Sequence, residues 1–277
     1  MNTPRTSNPE SPPNQATVFP EVVFLGTGTS VGIPALGCDC EVCTSTDPRN
    51  NRTRCAILFR LPAGNLLVDT PPDLRTQLLR EKIPLIHAVL FTHEHTDHLF
   101  GLDDLRLFPF RLGHGVPLYC ESHVERRIRK VYDYAFSDRE ATHPGSTPQL
   151  DFVTITGTPF EVLGIEVIPI PLKHGPYFDV LGFRIGDFAY CTDTNEVPES
   201  SIELLRGVKT LVIDALRYQP HPTHFSVDEA IEVIRKVQPQ EAYLTHICHD
   251  LNHPVADAEL PEGIHLAYDG LRLPMNL

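Results

Sequence analysis

Short apolar runs separated by turn-forming residues begin at residue 21 and predict a chain rich in β-strands. The first run, 22–25, ends at Gly26-Thr27-Gly28. A hairpin is expected next, because Pro62-Ala63-Gly64 separates two further runs. The remaining runs predict strands at 56–60, 65–68, 88–92, 116–120, 152–155, 165–170, 180–185, 188–192, 211–214 and 242–245.

Apolar residues spaced three or four positions apart predict helices between these strands. The strongest pattern is 226–237, where Ser226 and Glu229 fit a capping box ahead of one apolar face. Weaker patterns predict helices at 74–81, 122–136 and near 200–205. Strands come first and helices alternate with strands later, so we expect an α/β (α+β) fold with two sheets inside and helices outside.

The two ends of the chain differ in composition. Residues 1–20 are rich in Pro, Ser, Asn and Thr and poor in apolar residues, which predicts a disordered leader. The rest, 21–277, is then the folded domain. Across all 277 residues, 41% are hydrophobic and 21% charged, as in globular proteins.

The charge balance narrows the class of partner. The 23 Lys and Arg residues and 36 Asp and Glu residues give a net charge of −13, which argues against broad binding to nucleic acid or to anionic membranes. No apolar run approaches about 18 residues, so no membrane helix is expected. The first residues lack an apolar signal core, which favours a cytoplasmic location.

Histidine is unusually frequent, with 14 residues, and the segment His93-Glu94-His95-Thr96-Asp97-His98 is the strongest chemical signal. It follows a predicted buried strand. The strand end points His93 and His95 to one side, and after a turn Asp97 and His98 face a second position nearby. Imidazole and carboxylate ligands suit Zn²⁺, Mn²⁺, Fe or Co. The segment therefore predicts a metal site.

Four ligands are too few for two metal ions, so we looked for ligands elsewhere in the chain. His174, Asp193 and His246 each follow an apolar run that predicts a strand. Strand ends are rigid places from which a scaffold presents ligands. The recurrence of this context makes all three residues candidate metal ligands.

Three of the seven cysteines, Cys38, Cys40 and Cys43, lie within six residues. In a cytosolic chain such spacing indicates a metal site rather than disulfides. A closed tetrahedral zinc site needs a fourth ligand. Zinc there would pin the long loop 29–44, for which no helix or strand is predicted.

The chain resembles the metallo-β-lactamase fold, whose H-x-H-x-D-H loop, later His, Asp and final His match, in order, His93, His95, Asp97, His98, His174, Asp193 and His246. Within that fold it is similar to the phosphonate-pathway phosphodiesterases, a group that includes phosphoribosyl cyclic phosphodiesterase. The closer resemblance covers about residues 22–273. It rests on Gly26-Thr27-Gly28-Thr29-Ser30, Gly32-Ile33-Pro34, Gly37-Cys38-Asp39-Cys40-Glu41-Val42-Cys43, Asp47-Pro48-Arg49-Asn50, Gly101-Leu102-Asp103-Asp104-Leu105-Arg106 and Leu244-Thr245-His246.

The resemblance implies an αββα sandwich with two divalent cations, Mn²⁺ or Zn²⁺, in the active site. One ion would be bound by His93, His95 and His174, and the other by Asp97, His98 and His246, with Asp193 between them. A structural Zn²⁺ would be bound by Cys38, Cys40, Cys43 and His249. The implied activity is hydrolysis of small, above all cyclic, phosphodiesters by a hydroxide that the two metals activate. A homodimer is also implied.

Catalysis needs a proton for the leaving group. His224 lies two residues before Ser226, at a position where the family has a catalytic His, so we assign it as the general acid or a phosphate contact, and Asp97 as a second catalytic residue. His221 is the weaker alternative. Asp69 is expected to orient a ligand His, as an Asp at such a strand end often does in this fold. Arg106 could bind phosphate or pair with Asp103.

Other activities occur on the same fold. A tRNA 3′-end processing endonuclease shares the Thr-Gly-Thr opening and the metal ligands, but it holds tRNA with a basic arm that this sequence lacks. A mononuclear iron oxygenase or a thioesterase is disfavoured by the Cys cluster and by the Gly101–Arg106 motif. A binding module without catalysis has no need for seven ligands around two open metal sites. A phosphodiesterase for small substrates is the preferred hypothesis.

Overall fold

The structure, a computed structural model, describes residues 19–137 and 142–277. The predicted leader, 1–20, therefore lies almost wholly outside the described residues. The strands are Glu21–Gly26 (β1), Ala56–Leu61 (β2), Gly64–Val68 (β3), Ala88–Leu90 (β4), Val116–Cys120 (β5), Leu150–Thr154 (β6), Phe160–Val162 (β7), Ile165–His174 (β8), Phe178–Ile185 (β9), Phe188–Cys191 (β10), Thr210–Asp214 (β11), Glu241–Thr245 (β12), Ile264–Leu266 (β13) and Arg272–Pro274 (β14).

Helices separate several of these strands. They are Leu74–Arg80 (α1), Thr96–Leu99 (α2), Pro109–Leu112 (α3), Ser122–Val131 (α4), Glu199–Leu205 (α5), Val227–Val237 (α6) and His253–Glu259 (α7). No helix within the described ranges combines the length and the apolar character needed to cross a bilayer.

The described strands form two sheets of seven. The first sheet has the order β14-β1-β2-β3-β4-β5-β6, and the second has the order β13-β12-β11-β10-β9-β8-β7. In the second sheet β10, β11, β12 and β13 run parallel, and β8 runs in the same direction because it reaches β10 through two antiparallel pairings. The carboxyl ends of β8, β10, β11 and β12 therefore share one edge.

Alternating side chains divide the core into layers. In β1, Val22 and Phe24 pack between the sheets, while Val23 and Leu25 face helices α1 and α4. On the far side of the second sheet, the apolar residues of α5, α6 and α7 cover β11 and β12. These four layers, helix, sheet, sheet and helix, confirm the predicted αββα sandwich.

The element predictions were right in kind and differ mainly at boundaries. The capping box of α6 is present: the Ser226 side chain accepts from Glu229 N–H, and the Glu229 carboxylate accepts from Ser226 N–H. The helix predicted at 122–136 ends at Val131, and a short 3₁₀ turn, Asp133–Ala135, follows it. The sequence patterns missed β7, β13, β14, α2, α3 and α7, which are all short.

Candidate active site and metal centres

His93, His95 and His174 meet where the two sheets adjoin. His93 and His95 lie between β4 and α2, and His174 is the last residue of β8. The sheets are joined beside them, because Leu181 N–H donates to the Thr92 carbonyl at 3.0 Å. One ligand atom from each of the three histidines lies within 4.8 Å of the others. These three side chains therefore form a first cluster that could hold a metal ion.

A second cluster adjoins the first and contains Asp97, His98, Asp193 and His246, whose ligand atoms also lie within 4.8 Å of one another. Asp193 lies between its two histidines: its Oδ2 is 3.2 Å from His98 Nε2, and its Oδ1 is 3.2 Å from His246 Nε2. Asp193 also comes within 4.8 Å of His174 of the first cluster. The carboxylate of Asp193 is thus placed between the two clusters.

In His93, His98 and His174 a hydrogen bond occupies one ring nitrogen, whereas both ring nitrogens of His246 are buried without a partner among the described residues. The Nδ1 atoms of His93, His98 and His174 are bound, respectively, to Thr92 Oγ1 at 2.9 Å, Asp69 Oδ2 at 2.7 Å and the Thr223 carbonyl at 2.8 Å. The Nε2 atoms of His93, His98 and His246 are buried and have no hydrogen-bond partner among the described residues. Buried polar atoms without partners are costly, and an outer partner on one nitrogen is typical of metal-binding histidines. The donor set therefore fits divalent cations.

Apart from His98, these groups have protonation states that suit metal binding. Burial alone would lower the pKa of His98, but the carboxylates of Asp193, Asp97 and Asp69 outweigh it and raise that pKa. Burial lowers the pKa of His93 and, less strongly, of His95 and His174, which favours the neutral imidazole that binds metals. Burial alone would raise the pKa of Asp97 and Asp193, but the nearby histidines outweigh it and lower both values. Two ionised carboxylates buried in one cavity are favourable only with nearby cationic charge.

His224 lies beside both clusters but has a carboxylate partner of its own. Its Nδ1 is 2.6 Å from Asp214 Oδ2, and its ring stacks on that of His246 with centroids 4.5 Å apart. Burial lowers its pKa, but the charge and hydrogen bond of Asp214 outweigh burial and raise the pKa to about 9. A ligand atom of His224 also lies within 4.8 Å of His174 and Asp193. Its distance from the clusters alone therefore does not distinguish a role as general acid from a role as metal ligand.

Asp214 is the site residue that the sequence analysis missed. It ends β11, and β8, β10 and β12 end at the same edge with His174, Asp193 and His246, so the strand-end rule could have found it. Asp69 was expected to orient a ligand His, and it contacts His98 as described. Its carboxylate also accepts from Thr92 N–H at 2.9 Å and Thr92 Oγ1 at 2.8 Å.

Other candidate residues lie apart from the clusters. Arg106 Nη2 contacts the Asp103 carboxylate at 2.6 Å, and Tyr134 also binds that carboxylate, so Arg106 is paired within its own segment. His221 shares the loop of His224, with ring centroids 5.3 Å apart, and its Nδ1 contacts Thr223 Oγ1 at 3.2 Å.

The cysteine loop folds back onto the segment after β12. The Sγ atoms of Cys38, Cys40 and Cys43 lie 3.3, 3.7 and 3.5 Å from His249 Nδ1. A tetrahedral zinc with bonds of about 2.3 Å to sulfur and about 2.0 Å to nitrogen sets these atoms about 3.5 Å apart. The Ala35 N–H lies 3.3 Å from Cys43 Sγ, and the Cys43 N–H lowers the pKa of the Cys40 thiol. The four side chains therefore fit a closed zinc site.

Comparison with known proteins places this arrangement in a family. The model for the beta-lactamase superfamily domain matches residues 64–247. The octanoyltransferase of Porphyromonas gingivalis is 38% identical over 253 residues, which are 90% of this chain but 50% of that protein. A ribonuclease Z of Picosynechococcus is 28% identical over 60% of this chain and 46% of that protein. The chain spans about half the length of these curated relatives.

Solved structures agree with the family match. A new diphosphatase from the PhnP family superposes with a TM-score of 0.87 at 39% identity, over 93% of this chain and 98% of that chain. Zinc-bound PqqB from Methylobacterium extorquens superposes with a TM-score of 0.75 at 19% identity, over 92% and 100% of the two chains, which shows the shared fold alone. This chain therefore belongs to the beta-lactamase superfamily domain family and has the metallo-β-lactamase fold.

Proposed function

We propose that the protein is a metal-dependent phosphodiesterase that hydrolyses small phosphodiesters, cyclic ones foremost, with two divalent cations. The observation that carries this proposal is the pair of adjoining ligand clusters with Asp193 between them. Two neighbouring metals form a clamp for displacement at phosphorus, and one metal would not need the second cluster. The similarity to a PhnP-family diphosphatase supports a substrate that contains phosphorus.

Each cluster would hold one cation. His93, His95 and His174 would bind one Mn²⁺ or Zn²⁺ ion, and Asp97, His98 and His246 the other, with Asp193 shared. When bound, two such ions polarise a phosphoryl oxygen and lower the pKa of a water molecule. Asp69 orients His98 through the hydrogen bond to its Nδ1. We retain Asp97 as a catalytic residue because it lies in the buried pair of carboxylates that balances the positive charge.

His224 would supply the proton to the leaving oxygen. Asp214 binds Nδ1 of His224, so the other ring nitrogen, Nε2, is the one available to the substrate. The stack on His246 fixes the ring beside the second cluster. Among the described residues, Asp214 also accepts from Thr194 N–H at 2.9 Å, which fixes the carboxylate itself. These contacts support His224 as a general acid rather than an additional ligand of either metal.

We further propose a structural Zn²⁺ at Cys38, Cys40, Cys43 and His249. Burial raises the pKa of the Cys43 thiol to about 11, so a cation is needed to keep that thiol deprotonated. His249 follows His246 by three residues, so this ion would tie the cysteine loop to the strand end that carries an active-site ligand. Its role is structural, because all four positions of a tetrahedral site are filled by protein.

The main alternative is a tRNA 3′-end endonuclease, which the 28% identity to a ribonuclease Z favours. Against it, the net charge of −13 is unfavourable for binding a polyanion such as tRNA.

We also propose, from the family resemblance, that the enzyme is a cytoplasmic homodimer. Light scattering after size-exclusion chromatography tests the dimer.

A turnover screen of the metal-loaded protein tests the proposed function. The panel contains cyclic and linear phosphodiesters, a precursor tRNA, thioesters and a β-lactam. We expect turnover of the small phosphodiesters above all others. Cleavage of precursor tRNA with no turnover of small phosphodiesters would favour the endonuclease instead.

A further inference from the structure

The two histidines of the second cluster are held in different ways. The carboxylate of Asp69 binds Nδ1 of His98, whereas Nδ1 of His246 is buried and has no hydrogen-bond partner among the described residues. The His246 ring stacks on that of His224, and its backbone has a φ of 58°, which persists only where neighbouring structure enforces it. The position of this ligand therefore depends on the segments that hold its backbone.

The loop after β1, which contains the Thr-Gly-Thr motif, pairs with the residue that follows His246. Ile247 N–H donates to the Thr27 carbonyl at 2.9 Å, and Thr29 N–H donates to the Ile247 carbonyl at 3.3 Å. Thr27 is fully buried, and a Cβ added at Gly28 would lie 2.6 Å from a backbone carbonyl oxygen of the neighbouring segment. The motif is therefore closely packed and fixes the backbone next to the ligand.

A single carboxylate, that of Asp269, holds this motif. Asp269 lies on the turn between β13 and β14, where the chain passes from the second sheet to the first, and its side chain is 6% exposed. Its Oδ1 accepts from Thr27 N–H at 3.0 Å and Thr27 Oγ1 at 2.9 Å. Its Oδ2 accepts from Thr53 N–H at 2.9 Å, Thr53 Oγ1 at 2.6 Å and Arg80 Nη1 at 3.1 Å. A carboxylate accepts all five hydrogen bonds, whereas an amide would turn its own NH₂ group toward some of these donors.

We propose that Asp269 is a positioning residue for the second cluster and acts on His246 through the backbone of Thr27. The carboxylate holds Thr27, the Thr27 carbonyl holds Ile247, and Ile247 fixes the ligand that precedes it. This inference rests on the proposed function for the presence of a cation at the second cluster. It gives the Thr-Gly-Thr motif a physical role, because the motif transmits the position of a buried carboxylate to a metal ligand.

Asp269→Asn tests this role by metal affinity rather than by turnover. Titration calorimetry with Mn²⁺ is carried out on protein depleted of exchangeable metal by mild chelation. We expect the affinity for one of the two cations to fall about 10- to 100-fold, as is typical when a residue that orients a ligand is replaced, and the other affinity to stay unchanged. Asp257→Asn is the matched control, because that carboxylate also accepts a backbone N–H, from Leu266 at 2.7 Å, and lies outside both clusters. The control should keep both affinities.

A second pair of variants separates positioning from a general loss of structure. Thr27→Val keeps the shape of the side chain and the backbone N–H but removes the hydroxyl donor, whereas Thr27→Ser keeps that donor. Thr27→Val should weaken the same cation about tenfold, the lower end of the range expected for Asp269→Asn. Thr27→Ser should retain most of the wild-type affinity. If Asp269→Asn does not fold, this pair decides the question, and equal affinities in the two Thr27 variants would contradict the role.

Amide hydrogen exchange on the metal-depleted protein tests the same contacts without any cation. The peptide that contains Ile247 should exchange faster in Asp269→Asn than in wild type, because its N–H donates to a carbonyl that is no longer fixed. A peptide from α6 should exchange as in wild type. Unchanged affinities, equal losses for both cations, or unchanged exchange at Ile247 would each overturn the role of Asp269. A wild type that binds a single exchangeable cation, with the exchange difference intact, contradicts the proposed function alone.

Discussion

Three site residues adopt a backbone conformation that residues other than glycine usually avoid. Asp69, Asp193 and His246 have φ angles of 65°, 53° and 58°, and each lies one or two residues after the end of a strand, β3, β10 or β12. Such a conformation costs on the order of 1–3 kcal/mol and persists only where the surrounding structure enforces it. At these three strand ends the chain turns sharply and aims a side chain at the clusters. At these positions the backbone therefore adopts an unfavourable conformation that places the side chain at the clusters.

Asp193→Ala tests the shared ligand. Removing the carboxylate that lies 3.2 Å from both His98 and His246 should lower turnover of a bis-aryl phosphodiester by about 10³-fold or more, because the metal pair loses its common ligand. Steady-state kinetics with metal analysis measures this. Asp187→Ala, at the other end of β10, is the control and should keep its activity. Near-normal activity of Asp193→Ala would indicate a single-metal site at His93, His95 and His174.

His224→Ala separates the acid from the metals. The variant should keep both active-site metals, and its loss of activity should depend on the leaving group. Turnover of a ribosyl cyclic phosphate should fall about 10²–10⁴-fold, because its alkoxide leaving group needs a proton. Turnover of an activated p-nitrophenyl ester should fall far less, because p-nitrophenolate leaves readily without a proton.

Other outcomes of the His224 experiment assign other roles. Equal losses on both substrates would make His224 a phosphate-binding residue, and loss of metal would make it a ligand. Normal activity on both would move the acid to His221 or to a metal-bound water. His265→Ala, a half-buried histidine on β13 that lies outside the clusters, controls for removing an imidazole.

At the scale of elements, the cysteine loop is held by side chains rather than by regular structure. Neither a strand nor an α-helix lies between β1 and β2, and only a short 3₁₀ turn, Pro48–Asn50, is present there. Ile33, Val42 and Cys43 form a small apolar cluster, which is too small to order such a loop unaided. A bound zinc ion would supply the missing stability, because its binding free energy becomes folding free energy.

Cys40→Ser tests that zinc. Protein purified without added metal should retain close to one zinc ion per chain after mild chelation, and the variant should lose it and melt at a lower temperature. Atomic emission and thermal unfolding measure the two effects. Cys248→Ser, a half-buried thiol beside His249 but outside the cluster, should keep both. A Cys40→Ser protein with its full metal content and melting temperature would show that no structural site exists.

For the whole molecule, the junction between the loop after β1 and the segment after β12 depends on two buried basic side chains, Arg52 and His253. The Arg52 side chain is fully buried and donates to the carbonyls of Cys248 at 2.7 Å and Leu251 at 2.6 Å. His253 is buried beside it, and its N–H donates to Asn50 Oδ1 at 2.8 Å. Burial, then the charges of Arg49 and Arg52, lowers the pKa of His253 to about 4.

This junction predicts a loss of stability in mild acid. An unfolded chain binds a proton at His253 below its ordinary pKa of about 6.5, whereas the folded chain resists it until about pH 4. The free energy of unfolding should therefore fall as the pH drops through that window. His253→Gln should show a shallower fall than wild type in urea unfolding between pH 7 and pH 4.5. His143→Gln, at an exposed position, should retain the wild-type slope, and identical slopes for all three proteins would contradict this account.

The sequence determined the fold class and the candidate metal ligands, because both depend on local patterns. Apolar alternation gave the long strands, the capping box gave α6, and the His-rich segment after β4 indicated a metal site. Short elements such as β7, β13 and β14 stayed hidden, since three residues carry too little periodicity to stand out from a loop. Their pairing partners, not their own residues, stabilise them as strands.

Only the tertiary structure decided which residues meet. His95 and His174 are far apart in sequence, and Asp214 was invisible as a site residue until the shared edge of β8, β10, β11 and β12 brought it to 2.6 Å from His224. The same holds for Phe178, whose ring packs against that of His95 with centroids 4.7 Å apart although the two residues are far apart in sequence. The sequence states which side chains are present. The distances between strand ends depend on how the strands pair and the two sheets pack, which involves the whole chain.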